Sequence, residues 1–217
     1  MLRNLAFVRH RHPFAKADLT IEPSDIRQSS VLLCAEDNLD GKPIGTLRIE
    51  HNRDTELLLW REIPIPEWMN GFPALWISGF AVQAGNVGRA ARNALLKAAY
   101  LYAVANQCQF IVTVQSPPRD RLYKPLGFIP VYNGDPTLTP SFLHGLPVKA
   151  LFARVNDFER SWKESNHILY SYMFETFHPS IEVFAPVSGP TRRRRIGDPT
   201  DTLMPSTPQT NLNIPLV

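Results

Sequence analysis

Apolar and polar side chains alternate over the first strands that the sequence predicts. Ser29–Ala35 is a short apolar run, and Pro43–Glu50 alternates as a half-buried strand does. Asp40 and Gly41 lie between the two runs, in a cluster typical of turns. This arrangement predicts a β-hairpin. A further apolar run at Thr55–Trp60 predicts another strand.

A strand, a helix and a second strand are predicted in the middle of the chain. Ala74–Val82 and Gln109–Val114 are nearly continuous apolar runs, which favours buried strands. Between them, Arg89 to about Asn106 repeats apolar residues at helical spacing, with Lys97 off the apolar stripe. Such a unit implies a crossover between two parallel strands of a parallel or mixed sheet.

Shorter elements are predicted in the second half of the chain. They are a short helix around Arg119–Pro125, strands at Phe128–Tyr132 and Val148–Arg154, and an amphipathic helix at about Asn156–Phe177 that breaks near Asn166. No internal repeat interrupts this order, so the elements indicate one α/β domain.

Composition divides the chain into three parts. Residues 1–28 are polar without a clear period and are expected to form an N-terminal arm. Residues 29–185 hold the predicted elements. Residues 186–217 are dominated by Pro, Ser, Thr, Gly and Asn, so they bury too little apolar surface to offset their conformational entropy. We therefore expect a disordered tail.

The net charge of +3 lies mostly in this tail. Arg192–Arg195 against Asp198 and Asp201 gives the tail +2, which leaves +1 for the rest of the chain. The arginine run can contact phosphate, nucleic acid or an acidic carrier protein, or simply stay solvated. Nucleic-acid binding is disfavoured because no aromatic residues interleave with this charge.

Hydrophobic residues make up 44% of the chain and charged residues 20%, which is typical of a globular protein with a core. No apolar run reaches the length of about 18 residues that a membrane span needs, and the basic N-terminus has no apolar h-region. These features predict a cytoplasmic protein without a membrane span. Cys34 and Cys108 lie in apolar runs and are expected to be buried on strands, and two cysteines are too few for a disulfide framework or a zinc site.

The loop between Val82 and Arg89 is expected to bind an anion. Gly85 and Gly88 permit positive φ and let a ligand approach the backbone closely. The helix that follows directs free N–H groups and a partial positive charge at the same place. Arg89 and Arg92 add charge there, so the loop and the helix N-terminus form an expected phosphate cradle.

A second element gives this cradle a context. Leu122–Phe128 contains the pattern Y-x-x-x-G-F from Tyr123, and the loop reads G-x-x-G-x-A from Gly85. With the Ala-rich helix between them, these elements resemble the GNAT superfamily. The resemblance implies a mixed, mostly antiparallel central sheet flanked by helices. It also implies that the loop holds the pyrophosphate of coenzyme A or the pantetheine arm of a carrier, and that Tyr123 protonates the departing thiolate.

Within that superfamily, the chain looks closest to the N-acyl amino acid synthases, and more distantly similar to the acyl-homoserine lactone autoinducer synthases. Gly45–Arg48 reads G-T-x-R, and Ser78–Val82 follows where those families have E-x-S-R-F/L-A-V. This resemblance covers residues 29–182. It implies transfer of a long acyl chain from acyl carrier protein or acyl-CoA to a small amine such as an amino acid, with neither a tightly bound cofactor nor a metal. The implied donor-binding residues are Val82, Gln83, Gly85, Val87, Gly88, Arg89 and Ala90.

Two residues depart from the family pattern. Trp76 stands where the family has glutamate, and Gly79 stands where it has arginine. Because that carboxylate is missing, the candidate general bases are Glu50 and His51, which follow Arg48. The expected substrate-binding residues are Arg48, Trp76, Ser78 and Phe80.

The sequence leaves three functions open. The first is an N-acyl amino acid synthase that uses acyl carrier protein, and the second is a CoA-dependent N-acetyltransferase. The third, motivated by the two departures, is a GNAT-shaped binding or carrier-docking module without catalysis. Four aromatic residues are either core residues or walls of an acyl tunnel: Trp60, Trp68, Phe72 and Trp76.

Overall fold

The computed structural model describes residues 29–53 and 56–183. A six-stranded sheet runs in the order β1-β2-β3-β4-β6-β5, and the described residues belong to one compact unit. The expected arm at residues 1–28 and the expected tail at residues 186–217 lie outside the described residues. The strands are Ser30–Glu36 (β1), Pro43–His51 (β2), Ala74–Val82 (β3), Phe110–Gln115 (β4), Ile129–Pro130 (β5) and Lys149–Arg154 (β6).

Among the described residues, two α-helices and several short helical turns connect or follow these strands. The α-helices are Gly85–Ala105 (α1) and Val155–Glu164 (α2). No helix in the part of the chain that the structure describes is long and apolar enough to cross a membrane. The 3₁₀ helices are Leu58–Arg61, Glu67–Met69, Arg119–Leu122 and Ser141–Leu143, and a π-helix occupies Ser171–Glu175.

The predicted hairpin is confirmed. β1 and β2 are antiparallel, and Leu33 lies opposite Leu47. The turn closes at Gly41, whose amide donates to the Asp37 carbonyl at 2.8 Å and whose φ is 68°. Glycine is favoured there because a side chain disfavours the left-handed region.

The predicted crossover is also confirmed. β3 and β4 are parallel and are joined through α1, whereas the other neighbouring strands pair antiparallel. The sheet is therefore mixed and mostly antiparallel, as expected. The β3–β4 ladder extends only from Ala74–Phe110 to Trp76–Val112. Both strands continue beyond it, so they separate into an opening that we call the wedge.

The two sheet faces carry separate apolar clusters. On the face covered by α1 and α2, here called the helix face, Ile49, Ile77 and Ile111 pack with Leu95 and Trp162. On the opposite face, here called the far face, the buried cluster includes Trp60, Trp76, Phe110, Val112 and Phe152. Alternation along each strand therefore decides which residues can share a site.

Lys97 differs from its predicted position off the apolar stripe. Its side chain is buried, and Nζ donates to the carbonyl oxygens of Tyr172, at 2.8 Å, and Thr176. It also lies 5.6 Å from the centre of the Tyr172 ring. Burial lowers the pKa of Lys97. The Lys97 side chain therefore holds the π-helix against the middle of α1, because its ammonium group satisfies carbonyl oxygens near the end of the π-helix.

Other local predictions need correction. The strand predicted at Thr55–Trp60 is wrong over the described residues 56–60, since Leu58–Arg61 forms a 3₁₀ helix whose Leu59 and Trp60 are buried. The helix predicted at Asn156–Phe177 ends at Glu164, and its expected break falls at Asn166, where φ is 48°. The strand predicted at residues 128–132 is limited to Ile129–Pro130, and the helix predicted at residues 119–125 is limited to Arg119–Leu122.

The cysteine predictions are only partly right. Cys34 lies on β1 as expected but is exposed, because it alternates with the buried Leu33 and faces away from the cluster on the helix face. Cys108 is buried as expected, but it precedes β4 rather than lying on it. Burial raises the pKa of the Cys108 thiol to about 11.

Candidate active site

The closed end of the wedge is defined by a side chain of β4. One residue beyond the last paired position, the Thr113 hydroxyl donates to the Ile77 carbonyl oxygen at 3.1 Å. Thr113 is fully buried and alternates with Val112 onto the helix face. The hydroxyl thus takes the place of a ladder hydrogen bond where the two strands begin to separate.

Tyr123 lies beside this closed end. The 3₁₀ helix Arg119–Leu122 brings the chain back from β4, and the Phe128 amide then donates to the Tyr123 carbonyl at 3.1 Å. The Tyr123 ring packs edge-on against Phe128, with centroids 5.3 Å apart. Its hydroxyl accepts from Gln115 Nε2 at 3.0 Å. Tyr123 therefore faces the strand that forms one side of the wedge.

Burial raises the pKa of Tyr123 to about 12. Side-chain hydrogen bonding with Thr113 and Gln115, and the positive charge of Arg119, act in the opposite direction but do not offset the loss of water. The phenol is consequently protonated at neutral pH, as a proton donor must be.

The expected cradle is the first turn of α1 rather than a loop. The helix begins at Gly85, four residues before the predicted start, so Gln83 and Ala84 alone connect it to β3. Gly85 has a φ of 82°, and a Cβ on Gly88 would lie 1.7 Å from the Gln83 carbonyl oxygen. Gly88 is therefore required by this close approach.

The predicted donor-binding residues are placed together around this turn. Gln83 anchors the connection because its amide donates to the Ile44 carbonyl at 2.8 Å. The first turn has no side-chain cap and no acidic residue, so its N–H groups face outward with a partial positive charge. Val82 ends β3 with partial burial, Val87 and Ala90 are exposed, and Arg89 bonds Asn86 within the turn.

Several cationic residues belong to the segments that start at the open end of the wedge. Because β3 and β4 are parallel, the segments that follow them start at the same edge of the sheet. Arg89 and Arg92 are exposed on α1, whereas Arg119, Arg121 and Lys124 follow β4. Partial burial lowers the pKa of Arg119, which nevertheless stays cationic at neutral pH.

The far face presents a buried polar group two strands away from β4. Arg48 Nε donates to Ser78 Oγ at 3.0 Å and lies 3.6 Å from Glu50 Oε1. Arg48 and Glu50 are 6% and 0% exposed, so this ion pair is shielded from solvent. Glu50 is opposite Trp76 across the strand pair, and Trp76 Nε1 is buried without a hydrogen-bond partner among the described residues.

The structure separates some residues that the sequence analysis grouped. Glu50 and His51 are neighbours on β2 and therefore point to opposite faces. His51 stacks on Tyr102 of α1, with ring centroids 6.3 Å apart, on the helix face. Glu50 shares the far face with Arg48, Trp76 and Ser78.

Phe80 differs from its predicted substrate-binding partners because it packs against the cluster on the helix face. The register of β2 against β3 shifts between Thr46 and Arg48, opposite Gly79, which has a φ of 58°. An L-residue at position 79 would be strained in this conformation. The local bulge therefore accounts for glycine where the resembling families have arginine.

An apolar cavity lies on the helix face behind Tyr123. Phe128, which contacts the Tyr123 ring, lines it together with Ile77, Ala99, Phe158, Trp162 and Met173. The aromatic residues proposed as tunnel walls do not line it, since Trp60 and Trp76 belong to the cluster on the far face. Trp68 and Phe72, at 40% and 41% exposure, lie partly on the surface.

Comparison with solved structures supports the fold. FeeM, an N-acyl amino acid synthase from uncultured soil microbes, superposes with a TM-score of 0.56 at 15% identity, covering 72% of this chain and 88% of FeeM. BjaI, a CoA-dependent acyl-homoserine lactone synthase solved with SAM and isopentyl-CoA, has a TM-score of 0.53 at 17% identity, covering 77% of this chain and 80% of BjaI. The chain has a GNAT-like fold. No protein-family model and no curated protein matches its sequence.

The candidate active site contains residues that were not predicted from the sequence. Thr113 was assigned only to a strand, and Gln115 lay one residue beyond the predicted end of that strand; their alternation onto the helix face was the available signal. Phe158 and Trp162 are four residues apart on α2, so their common face was also visible in the sequence. Met173 gave no such signal, because its position depends on the contact between Lys97 and the π-helix.

Proposed function

We propose that this protein is an N-acyltransferase that moves an acyl group from a thioester of coenzyme A or acyl carrier protein to a small amine. The observation that carries the proposal is the wedge between β3 and β4, with the phenol of Tyr123 at its closed end and the uncapped start of α1 at its open end. A pantetheine arm is narrow enough to lie between two separated strands.

In the proposed reaction, the amine nitrogen attacks the thioester carbonyl carbon and the carbon–sulfur bond then breaks. The departing thiolate takes the proton of the Tyr123 hydroxyl. A phenol whose pKa is about 12 carries that proton at any physiological pH. A backbone N–H group on β3 beyond the segment paired with β4 would polarise the carbonyl, a contribution that is often the largest in acyl transfer.

The acceptor is proposed to approach from the far face. Tyr123 lies on the helix face, so an amine entering from the other side meets the thioester carbonyl opposite the proton donor. Glu50 is on that side and is our candidate for removing the amine proton through a water molecule. Arg48 and Ser78 would orient Glu50, since Arg48 contacts both. His51 does not fit this role because it lies on the helix face beside Tyr102.

The acyl chain is proposed to enter the apolar cavity on the helix face. The cavity is lined by Phe128, which contacts the proposed proton donor, and by Trp162 and Met173. Apolar walls bind a hydrocarbon chain by removing it from water. The cavity is small, about 20 Å³, so an acyl chain longer than acetyl would have to displace some of its lining side chains.

The donor is proposed to bring its phosphate to the start of α1. The first-turn N–H groups, Arg89 and Arg92 suit a phosphate, and both coenzyme A and the carrier arm have one. The cations after β4, which include Arg121 and Lys124, also suit an acidic carrier protein.

Incubation of the purified full chain with acyl thioesters and a mixture of amino acids tests the proposal. Donors are CoA thioesters and carrier-protein thioesters from acetyl to long chains. Mass spectrometry measures N-acyl products, and thiol release measures turnover. We expect product with wild type, and loss of at least tenfold in turnover for Tyr123→Phe with an unchanged circular dichroism spectrum.

The outcomes separate the three functions. Turnover with long carrier thioesters supports a carrier-dependent synthase, whereas turnover only with acetyl-CoA supports an acetyltransferase. Binding of either donor to folded protein without thiol release or product would contradict catalysis and leave a donor-binding module.

A further inference from the structure

Gln115 is the last residue of β4, beyond the end of the β3–β4 ladder. Its side chain alternates with Val114 onto the helix face. Both hydrogens of its amide nitrogen are used: Nε2 donates to Thr113 Oγ1 at 2.8 Å and to Tyr123 Oη at 3.0 Å. One amide therefore joins the closed end of the wedge to the phenol.

The direction of these bonds follows from Thr113. Its hydroxyl has a single hydrogen, which it donates to the Ile77 carbonyl at 3.1 Å. The remaining lone pairs of Thr113 require a donor, so Gln115 presents its NH₂ group and not its carbonyl oxygen. The same NH₂ group also donates to the Tyr123 oxygen. Since that oxygen is the acceptor, the phenol hydrogen remains available for donation.

We infer that Gln115, held by Thr113, is a positioning residue that orients the Tyr123 hydroxyl for proton donation into the wedge and stabilises the phenolate left behind. This inference rests on the proposed acyl transfer. After the proton leaves, the Gln115 N–H meets a charged oxygen, and hydrogen bonds to charged groups are about twice as strong as neutral ones. The bond thus strengthens as the reaction proceeds, which is the condition for lowering a barrier.

A double-mutant cycle tests this role in the full chain. Gln115→Met keeps the length of the side chain but removes the donor. We expect kcat to fall about tenfold with KM unchanged, the size of one charge-assisted hydrogen bond. In a Tyr123→Phe background the same change should have no further effect. Gln109→Met, an exposed change just before β4, is the matched control and should retain wild-type kcat.

The cycle distinguishes positioning from stability. A similar fall caused by Gln115→Met with and without the phenol would overturn the inference, because it would mean that Gln115 acts through the strand. An unchanged kcat for Gln115→Met, with Tyr123→Phe impaired, would overturn it while leaving the proposed function intact. A donor whose thiol has a low pKa needs no proton, so it should largely rescue both single variants.

A titration of the phenol at position 123 tests the hydrogen bond from Gln115 without measuring turnover. Fluorotyrosine placed at position 123 lowers the phenol pKa into a measurable range, and ¹⁹F NMR follows its ionisation. Gln115→Met should raise that pKa by about half to one pH unit, the equivalent of one lost hydrogen bond. An unchanged pKa refutes the bond, even if wild-type protein transfers no acyl group and the proposed function itself fails.

Discussion

Part of the fall in the free energy of unfolding at alkaline pH should come from Tyr123, and Tyr123→Phe should lack that part. The pKa of Tyr123 is about 12 in the folded chain against 10.0 for the free side chain, and burial is the main cause. A folded-state pKa above the unfolded value means that the stabilising contribution is present below pH 10 and is lost as the pH rises through 12. The loss is about 1 kcal/mol by pH 11 and about 2 kcal/mol by pH 12.

Urea unfolding of wild type and Tyr123→Phe between pH 8 and pH 11 measures this loss. Other buried groups, including Cys108, also titrate in this range, so the informative quantity is the difference between the two proteins. Below pH 9 the difference in unfolding free energy should be constant. Between pH 10 and pH 11 it should shift in favour of Tyr123→Phe by about 1 kcal/mol. Parallel curves up to pH 11 would show that the phenol is hydrated in the folded protein, which would contradict the burial that raises its pKa.

Two further substitutions and one labelling experiment test separate features. Gly88→Ala places a methyl group against the Gln83 carbonyl, so we expect a loss of at least about 2 kcal/mol in urea unfolding and weaker donor binding; wild-type stability would contradict the close approach. Under native conditions, iodoacetamide should label Cys34 at least about tenfold faster than Cys108, as measured by mass spectrometry, because Cys34 is exposed; equal rates would contradict this difference. Trp162→Ala should shift donor preference toward longer acyl chains in competition assays, whereas an unchanged preference would place the chain elsewhere.

Strands were the part of the fold that the sequence predicted best. Ala74–Val82 matches β3 at both ends, because a strand buried on both faces leaves a continuous apolar run. The strand predicted at Thr55–Trp60 was wrong because the apolar run is short. Leu59 and Trp60 are buried in a 3₁₀ helix, and so few residues show no period that distinguishes a strand from a helix.

The start of α1 was predicted late because of its glycines. Gly85 and Gly88 have low helix propensity, so they indicated a loop. Gly88 is in fact needed within the helix, since the Gln83 carbonyl lies too close for any side chain. A contact between the connection and the helix outweighed local propensity, and no pattern in the sequence encodes that contact.

The candidate site shows the same limit. Tyr123 was recognisable from a local motif, but its bonding to Gln115 depends on how two segments meet after β4. Glu50 and His51 were grouped because they are adjacent in sequence, whereas strand geometry assigns adjacent residues to opposite faces. The burial of Lys97 depends on carbonyls 75 and 79 residues away and could not be predicted from helical spacing.

Part of the lining of the apolar cavity comes from chain that follows the last strand of the sheet. Phe158 and Trp162 belong to α2 and Met173 belongs to the π-helix, whereas the wedge belongs to β3 and β4. Under the proposed acyl transfer, substitutions after β6 would therefore change the fit of the acyl chain without replacing the residues proposed to handle protons. Lys97 links the two regions, since it belongs to the helix that starts at the wedge and its ammonium group holds the π-helix that contains Met173.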